Sequence, residues 1–317
     1  MKTLYAIGEA LIDFIPSSAE TPLEAVEAFC PKVGGAPANV AVIYALLGGK
    51  SRMLTAVGKD AFGRKIQQTL AACGVDTAYI AEKSEANTAL AFVGLDHKGD
   101  RSFSFYRSPS ADMLYTESDL PTALQDAFAL HFCSVALGDS PMKDAHRRAI
   151  ALAKEAGALI SFDVNLRFSL WESEDALYRA VWEFLPSADI LKLSEEEIGF
   201  VTGTKDLEKA AKMLLTHCRY VIITRGKDGA MLFYTDKKNG MTTIAAPSIE
   251  VNTIDTTGAG DAFIGAFLYL LSSQTLPLDA LDNGILSNLL LYANRIAAAT
   301  TEYHGAIDSY QTVFSHL

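Results

Sequence analysis

Apolar residues in this chain form short continuous runs that alternate with longer stretches of helical periodicity, most regularly from about residue 129 onward. The runs predict strands at Leu130–Cys133, Leu159–Asp163, Ile190–Leu193 and Tyr220–Thr224. The stretches between them predict helices at Met142–Ala156, Ala176–Leu185 and Leu207–Thr216. Because strands that alternate with helices form βαβ units, the pattern predicts a parallel sheet with helices on both faces.

The first third of the chain has a different pattern. Thr88–Leu95 and Ser102–Tyr106 flank a polar segment, which is typical of a hairpin that projects from the main domain as a small sheet. Further elements are predicted as strands at Leu4–Ile7 and Arg52–Val57, and as helices at Ala38–Leu47, Phe62–Cys73 and, last in the chain, Asp279–Thr300.

Composition narrows the class of protein. The chain has 317 residues, of which 50% are hydrophobic and 21% charged, an ordinary balance for a globular protein. Its net charge of −11 argues against nucleic acid or an anionic membrane surface as the main partner. The four cysteines form no Cys-x-x-Cys pair, the N-terminus does not resemble a signal peptide, and no apolar stretch approaches the roughly 20 residues of a membrane span. We therefore expect a soluble, cytoplasmic protein.

The segment Asp255–Phe263, DTTGAGDAF, carries the most informative chemistry, and an apolar run, Ala262–Leu271, follows it and predicts a buried helix. Glycines permit a tight turn at the start of such a helix, where unpaired N–H groups and a partial positive charge favour a phosphate. Asp261 adds a carboxylate that an anion site alone does not need, which suggests a base that orients an attacking hydroxyl. A plain turn with Asp as a capping residue also fits this segment alone.

Two other phosphate-binding motifs are excluded. Gly49-Lys50-Ser51 matches the end of a Walker A loop, but Tyr44 stands where its first glycine belongs. A dinucleotide fingerprint requires a glycine three positions after Gly260, and Phe263 stands there instead. Neither a P-loop enzyme nor a dinucleotide-dependent dehydrogenase is favoured.

DTTGAGDAF, together with Gly34-Gly35-x-Pro-x-Asn39, closely resembles the two signatures of the PfkB (ribokinase-like) carbohydrate kinase family, and the resemblance covers essentially the full chain. It implies a three-layer α/β/α fold with a mainly parallel central sheet and a small β-sheet lid. The expected organisation is a single domain over residues 1–317, with a lid formed by approximately residues 10–33 and 86–110.

The resemblance assigns Asp261 as the catalytic base and the backbone N–H groups of Gly258, Ala259 and Gly260 as the anion hole for the transferred phosphoryl group. Placement at a helix N-terminus should keep Asp261 ionised and only weakly basic. That is compatible with phosphoryl transfer, which depends mostly on positioning and charge stabilisation. We therefore expect Asp261 to act as an orienting base.

A second set of residues matches the family's sugar-binding positions. Gly34 and Gly35 would let the sugar approach the backbone, and the side chain of Asn39 offers both a donor and an acceptor to neighbouring hydroxyls. Asp13 matches an acidic sugar ligand. Phe103, Phe105 and Arg107, with Ala111-Asp112 after them, resemble the segment that surrounds the sugar in fructokinase-like members. A hydrophobic lid core with an exposed arginine would explain the same pattern.

Asp163-x-Asn165-x-Arg167 ends a predicted parallel strand, where open α/β sheets bind their ligands. The resemblance places Asn165 and Arg167 where the sugar meets the γ-phosphate, and Lys192 near the phosphates. Ser194 stands where the family usually has Asn, and Glu197 matches a residue that contacts Mg²⁺ through water. A capping box, with Ser194 at the N-cap and Glu197 at N3, explains this pair equally well.

The remaining positions concern the nucleotide and a monovalent cation. Thr224, Gly226 and Gly229 resemble the family's nucleotide segment, although a hairpin turn also accounts for the glycines, and Asn294 and Gly305 match positions near the adenine. Asp255, Thr257 and Ser309 match a K⁺ site that some members have.

The sequence therefore predicts an ATP-dependent sugar kinase with ATP, Mg²⁺ and, in some members, K⁺ as cofactors, most similar to fructokinases. The alternatives are a 2-keto-3-deoxygluconate kinase, a ribose or nucleoside kinase, and, from another class, a sugar-binding protein without catalysis. Sugar and MgATP are the expected partners, and a homodimer through the lid is considered because an exposed sheet edge can pair with a second copy.

Overall fold

The computed structural model describes residues 2–17, 22–95, 101–236 and 240–315. The strands are β1 Thr3–Ile7, β2 Leu11–Pro16, β3 Phe29–Gly34, β4 Lys50–Gly58, β5 Val75–Asp76, β6 Ile80–Lys83, β7 Leu90–Leu95, β8 Arg101–Tyr106, β9 Ala127–Cys133, β10 Leu159–Asp163, β11 Ile190–Ser194, β12 Tyr220–Thr224, β13 Ala230–Asp236 and β14 Gly240–Ala246. The helices are α1 Ala36–Leu46, α2 Ala61–Ala72, α3 Pro141–Glu155, α4 Glu174–Phe184, α5 Glu195–Thr202, α6 Leu207–Leu214, α7 Ala259–Ser272, α8 Asn283–Thr300 and α9 Ile307–Ser315.

The central sheet has the strand order β14-β13-β12-β11-β10-β9-β1-β4-β5, with β6 also paired to β4. Pairing is parallel from β12 to β5 and antiparallel only at the two added strands, β13 and β14. The predicted mainly parallel sheet is confirmed. Because strands such as β10 and β12 are buried on both faces, they consist mostly of apolar residues, with Ser161 and Asp163 as the polar residues of β10, and both begin and end where the sequence predicts.

Helices cover both faces of this sheet, which confirms the predicted three-layer architecture. On one face, the sheet forms a hydrophobic core with α1, α2, α7, α8 and α9. On the other face, it forms a second hydrophobic core with α3, α4, α5 and α6. The start of the last long helix was predicted wrongly. Leu278–Ala280 form a separate 3₁₀ turn, and α8 begins at Asn283 because the Asp282 carboxylate accepts the Ile285 N–H as a helix cap.

A separate four-stranded sheet has the order β3-β2-β7-β8. The predicted hairpin of β7 and β8 is confirmed, and β2 joins it in parallel to β7, with β3 antiparallel at the edge. Phe14 and Phe92 stack on one face with ring centroids 4.6 Å apart. Since alternate residues of a strand point to opposite faces, Asp13 lies on the other face with Leu11 and Phe105.

Candidate active site

The carboxyl ends of the central parallel strands meet at one edge of the sheet. Glu9 follows β1, Asp163 ends β10, Ser194 ends β11 and Thr224 ends β12. The start of α7 lies against the same edge, since a Cβ atom built on Gly260 would be 3.0 Å from Nζ of Lys192 in β11. Polar groups from distant parts of the chain are thus collected in one cleft.

The turn that starts α7 has the geometry of an anion site. Gly258 is the N-cap with a φ of 77°, in the left-handed region that favours glycine. The N–H groups of Gly260 and Asp261 lie in the first helical turn and have no helical acceptor. The Ala259 N–H instead donates to the Thr256 carbonyl at 3.2 Å, so this predicted donor is already used within the turn.

Asp261 lies in the first turn of α7, and its Oδ2 accepts a hydrogen bond of 2.8 Å from Nδ2 of Asn39 in α1. Burial raises the pKa of Asp261 to about 6, despite the opposing effects of the Asn39 hydrogen bond and of the Lys192 and Arg167 charges. The expectation of a weakly basic carboxylate is therefore wrong, because loss of hydration outweighs the helix N-terminus. The carboxylate is ionised at neutral pH and basic enough to accept a proton.

Asn39 is 5% exposed, and its second polar atom is unusual. Oδ1 is buried and has no hydrogen-bond partner among the described residues, while Nδ2 is held by Asp261. A buried acceptor without a partner is costly. A ligand hydroxyl in the cleft would satisfy it.

Asp13 and Gly34 lie close together, at diagonal positions on adjacent strands of the small sheet. A Cβ atom on Gly34 would lie 2.1 Å from Oδ2 of Asp13, so only glycine leaves room for this carboxylate. Gly35, with a φ of 107°, makes the turn from β3 into α1, and a Cβ there would lie 2.5 Å from the Glu9 carbonyl oxygen. Burial raises the pKa of Asp13 to about 7, against the opposing charge of Arg167.

Lys192 and Asp163 form a buried ion pair on adjacent strands. Nζ of Lys192 donates to both carboxylate oxygens of Asp163, at 2.8 and 3.0 Å. Burial disfavours the lysine charge, but the carboxylates of Asp163, Glu197 and Asp261 outweigh it and raise the pKa of Lys192. A fixed positive charge therefore lies beside the Gly260 turn.

Asn165 and Arg167 lie in the loop beyond β10, and Glu197 lies in the first turn of α5 next to that loop. Asn165 adopts a φ of 42°, which asparagine tolerates better than most residues, and Arg167 is exposed with its charge acting on Asp13 and Asp261. Both oxygens of Glu197 accept backbone N–H groups, from Leu166 at 2.7 Å and from Ser194 at 2.8 Å. The Ser194–Glu197 capping box is confirmed.

A cavity of about 520 Å³ adjoins the anion turn and is the candidate nucleotide site. Four of the residues predicted for the nucleotide line it together with the turn: Thr224, Gly226, Gly229, Asn294, Ala259 and Gly260. Lys192, Ser194 and Gly305 are not among its described lining residues. Asn294 also supports one wall, because Nδ2 donates to the carbonyls of Ala246 and Pro247 at 3.1 and 3.2 Å. Phe263, the last residue of DTTGAGDAF, also lines the cavity, whereas the apolar lining from Ile249 and Val251 belongs to no motif that the sequence offered.

Of the residues predicted for a monovalent cation, Asp255 and Thr257 lie in the loop before α7, and Ser309 lies in the first turn of α9. The buried Asp255 carboxylate accepts the N–H groups of Thr257 and Gly305, each at 2.8 Å. Ser309 is fully buried in α9, and its hydroxyl donates to the Ala306 carbonyl at 2.7 Å. Asp255 thus joins the loop before α7 to the loop before α9.

Arg107 is 7% exposed and is held inside the protein. Its guanidinium donates to Asp112 in a two-bonded pair and to the Val135 carbonyl at 2.8 Å. The alternative of an exposed arginine is therefore wrong. Phe105 packs with Leu11, Ala89 and Ala91, whereas the side chain of Phe103 lies outside the described part of the structure.

Glu9 is a site residue that the sequence analysis missed. It is 2% exposed, accepts the Ala36 N–H at 3.1 Å, and interacts electrostatically with Arg107 and Asp261. Burial raises its pKa. Its only sequence signal was a carboxylate directly after a buried strand.

Two kinds of feature are absent from the described residues: a cluster of metal-binding side chains and a membrane-spanning helix. No group of three or more His, Cys, Asp or Glu side chains there could hold a metal ion by itself. Within the same ranges, none of the helices combines the length and apolar character needed to cross a membrane.

Known proteins resemble this chain over nearly its whole length. Residues 1–313 match the model of the family described as pfkB family carbohydrate kinase. Fructokinase-1 of Oryza sativa subsp. japonica is 40% identical over 310 residues, which are 97% of this chain and 94% of the relative.

Two solved structures resemble the chain along nearly its whole length. The fructokinase of Xylella fastidiosa with bound ATP has a TM-score of 0.88 and 33% identity, covering 99% of this chain and 97% of that one. A double mutant of the fructokinase of Vibrio cholerae O395, with fructose, ADP and potassium ion bound, has a TM-score of 0.87 and 33% identity, covering 100% and 98%. This chain belongs to the pfkB family of carbohydrate kinases.

Proposed function

We propose that this chain is an ATP-dependent fructokinase that transfers the γ-phosphoryl group of ATP to the 6-hydroxyl of fructose. The relatives named above are fructokinases, and two of their structures hold ATP or fructose with ADP. One observation carries the proposal from family to mechanism. Asn39 holds Asp261 through one polar atom and leaves the other, buried, without a partner among the described residues, as a sugar-binding residue would.

Fructose would lie between the small sheet and the edge of the central sheet. Asp13 would accept hydrogen bonds from its hydroxyls, and Oδ1 of Asn39 would accept another. Gly34 and Gly35 would allow the sugar to approach the backbone, with Phe105 as part of its apolar wall. Because Asp261 is hydrogen-bonded to Asn39, a sugar bound by Asn39 would lie beside the proposed base.

The transfer step forms a bond between the sugar 6-oxygen and the γ-phosphorus and breaks the bond from that phosphorus to the oxygen bridging it to the β-phosphorus. Asp261 takes the hydroxyl proton, and ADP leaves with the bridging oxygen. Charge on the transferred group would be stabilised by the amides of Gly260 and Asp261 in the first turn of α7. Lys192, Asn165 and Arg167 would add donors and positive charge from the ends of the strands.

The residues present fit Mg²⁺ as an ion brought by ATP. Such an ion usually keeps several waters and uses few carboxylates. Glu197 suits a water-mediated contact, because its two oxygens are fixed by Leu166 and Ser194 but retain acceptor capacity. When bound, Mg²⁺ neutralises phosphate charge. A K⁺ site near Asp255, Thr257 and Ser309 belongs to the same proposal, supported by the potassium in the Vibrio cholerae structure.

The small sheet would act as the lid that excludes water during transfer. It is tied to α9 by an ion pair between Lys32 of β3 and Asp308, both partly exposed. Exposed pairs contribute little, so this ion pair would offer little resistance to opening. A cytoplasmic location and a homodimer through the lid complete the proposal.

The alternative of a 2-keto-3-deoxygluconate kinase is less well supported. It would use Arg107 to bind the substrate carboxylate. That guanidinium is already paired with Asp112 in the buried interior. A substrate carboxylate would have to compete with this ion pair.

The test is ATP turnover with fructose, ribose, a nucleoside, an aldohexose and 2-keto-3-deoxygluconate, for wild type and Asp261→Asn. We expect fructose to give the highest kcat/KM and Asp261→Asn to lower kcat about 10³-fold. Asp144→Asn is the matched control, since Asp144 also lies in the first turn of a long helix but is exposed and paired with Arg147. Preference for another substrate would overturn the assignment to fructose. Turnover that persists in Asp261→Asn would overturn the role of the base, and no turnover with any substrate would favour a binding protein.

A further inference from the structure

Tyr310 in α9 is a fully buried tyrosine whose hydroxyl lies next to the anion turn. It donates a hydrogen bond of 2.7 Å to the Gly258 carbonyl oxygen. The same oxygen accepts the Ala262 N–H at 2.8 Å, the first helical bond of α7. The Gly258 carbonyl therefore accepts two hydrogen bonds, one from within α7 and one from α9.

The surroundings fix the turn from the side of α9. A Cβ atom on Gly258 would lie 2.2 Å from the Tyr310 hydroxyl oxygen and 2.7 Å from Cβ of Ala306. The turn that starts α7 therefore packs directly against the start of α9. Burial raises the pKa of Tyr310 well above its ordinary value, with further contributions from Asp261 and Asp255, so the hydroxyl keeps its proton and remains a donor.

The bond acts on a peptide group that belongs to the site. The Gly258 carbonyl and the Ala259 N–H are parts of one peptide plane. A donor fixed to that carbonyl sets the tilt of the plane and of the amides that follow it. It also polarises the peptide, which strengthens the hydrogen bond from the Ala259 N–H to the Thr256 carbonyl and so holds the turn in place.

We propose that Tyr310 is a positioning residue for phosphoryl transfer, whose hydroxyl holds the Gly258 peptide so that the amides of the turn face the transferred group. This inference rests on the proposed function, because it assumes that the turn receives that group. Tyr310 would act on the transition state through Gly258 and would touch neither sugar nor adenine.

The test compares Tyr310→Phe with wild type and with Tyr220→Phe. Tyr220 is the matched control, because its hydroxyl also donates to a backbone carbonyl in the interior, that of Leu278 at 2.9 Å, in strand β12. We expect Tyr310→Phe to lower kcat about tenfold or more while the KM values for fructose and ATP change less than about twofold. Tyr220→Phe should retain the kcat of wild type. Melting temperatures of the two variants should fall by similar amounts.

Equal kcat values for the two variants would overturn the role of Tyr310. A loss of kcat with a much lower melting temperature than in Tyr220→Phe would also overturn it, in favour of a purely structural bond. Failure of the proposed function is separately visible, because wild type would then phosphorylate no sugar.

Discussion

Nδ2 of Asn39 donates to Oδ2 of Asp261 at 2.8 Å, across 222 residues of chain. This bond joins the start of α1, which follows the small sheet, to the start of α7, which adjoins the nucleotide cavity. It lowers the pKa of Asp261, whereas burial raises it to about 6. The balance of the two sets the pH at which the base is ionised.

The pH profile should report this balance. Because the reaction needs ionised Asp261, kcat/KM of wild type should fall as the pH decreases below about 6. Asn39→Leu removes the bond that lowers this pKa, so the acid limb should move to higher pH. The maximal kcat/KM should also decrease about tenfold or more, since a charge-assisted hydrogen bond and a sugar contact are lost. Steady-state kinetics between pH 5 and 9 checks both. An acid limb that stays in place would contradict the link between the two residues.

Gly34→Ala should damage sugar binding more than stability. The new Cβ would lie 2.1 Å from Oδ2 of Asp13, so that carboxylate must move away from the sugar. We expect KM for fructose to rise about 100-fold, the effect of losing a charged hydrogen bond of about 3 kcal/mol, while KM for ATP stays within about twofold. Gly199→Ala in α5 is the control, because its Cβ would meet only Lys205, at 3.8 Å. Equal increases in both KM values would indicate a general distortion.

Lys192→Met should reduce both activity and stability, because it leaves the Asp163 carboxylate buried without its partner. The free energy of unfolding should decrease by about 3 kcal/mol. Adding Asp163→Leu should recover most of that loss, since an apolar pair replaces the ion pair. It should not recover kcat, which we expect to be about 100-fold low, because the positive charge beside Gly260 is gone. Denaturant unfolding and turnover assays separate the two effects, and recovery of kcat in the double variant would exclude a role for the charge.

Asp13→Asn should stabilise the protein at high pH. The folded-state pKa of Asp13 is about 7, above its ordinary value of 3.8, so ionisation costs folding free energy as the pH rises between these values. The asparagine variant avoids that cost. Its melting temperature at pH 8 should exceed that of wild type by on the order of 2 °C, and the difference should disappear toward pH 4.

Asp60→Asn serves as a control of opposite sign. Burial disfavours the Asp60 carboxylate, but hydrogen bonds from Thr88 and Gly63 outweigh this and lower its pKa. This variant should be less stable than wild type at pH 8, and its deficit should shrink only as the pH falls below the ordinary value for Asp. Identical pH dependence in the two variants would show that neither carboxylate controls the difference.

The sequence was most informative where one physical requirement dominates. Buried parallel strands need apolar residues on both faces, so β10 and β12 could be predicted to the residue. Strand β3 was missed, because Phe29–Gly34 contains Pro31 and Lys32 and lies at a sheet edge, where both are tolerated. The first turn of α8 was misplaced because the cap at Asp282 could not be distinguished from neighbouring acids.

For the site, the sequence motifs predicted which residues lie near one another but not the pKa values of those residues. Asp261, Asn39 and Gly34 were predicted to share one cleft, and their contacts place them in it. The pKa of Asp261 could not be predicted, because burial depends on the packing of distant segments. Glu9 was missed for the same reason: its surroundings come from α1, β9 and the segment after β8.

Asp13 and Asn39 come early in the polypeptide, whereas Asp261 and Tyr310 come near its end. During synthesis, the residues proposed to bind the sugar therefore leave the ribosome long before Asp261 and before α9, the helix that contacts the anion turn. A nascent chain has no complete catalytic centre until α9 has left the exit tunnel and packed against α1 and α8. Cleavage before Ile307 would remove Tyr310 together with Asp308, so even a small loss at this end would take away the contact of α9 with the anion turn and its ion pair with the small sheet.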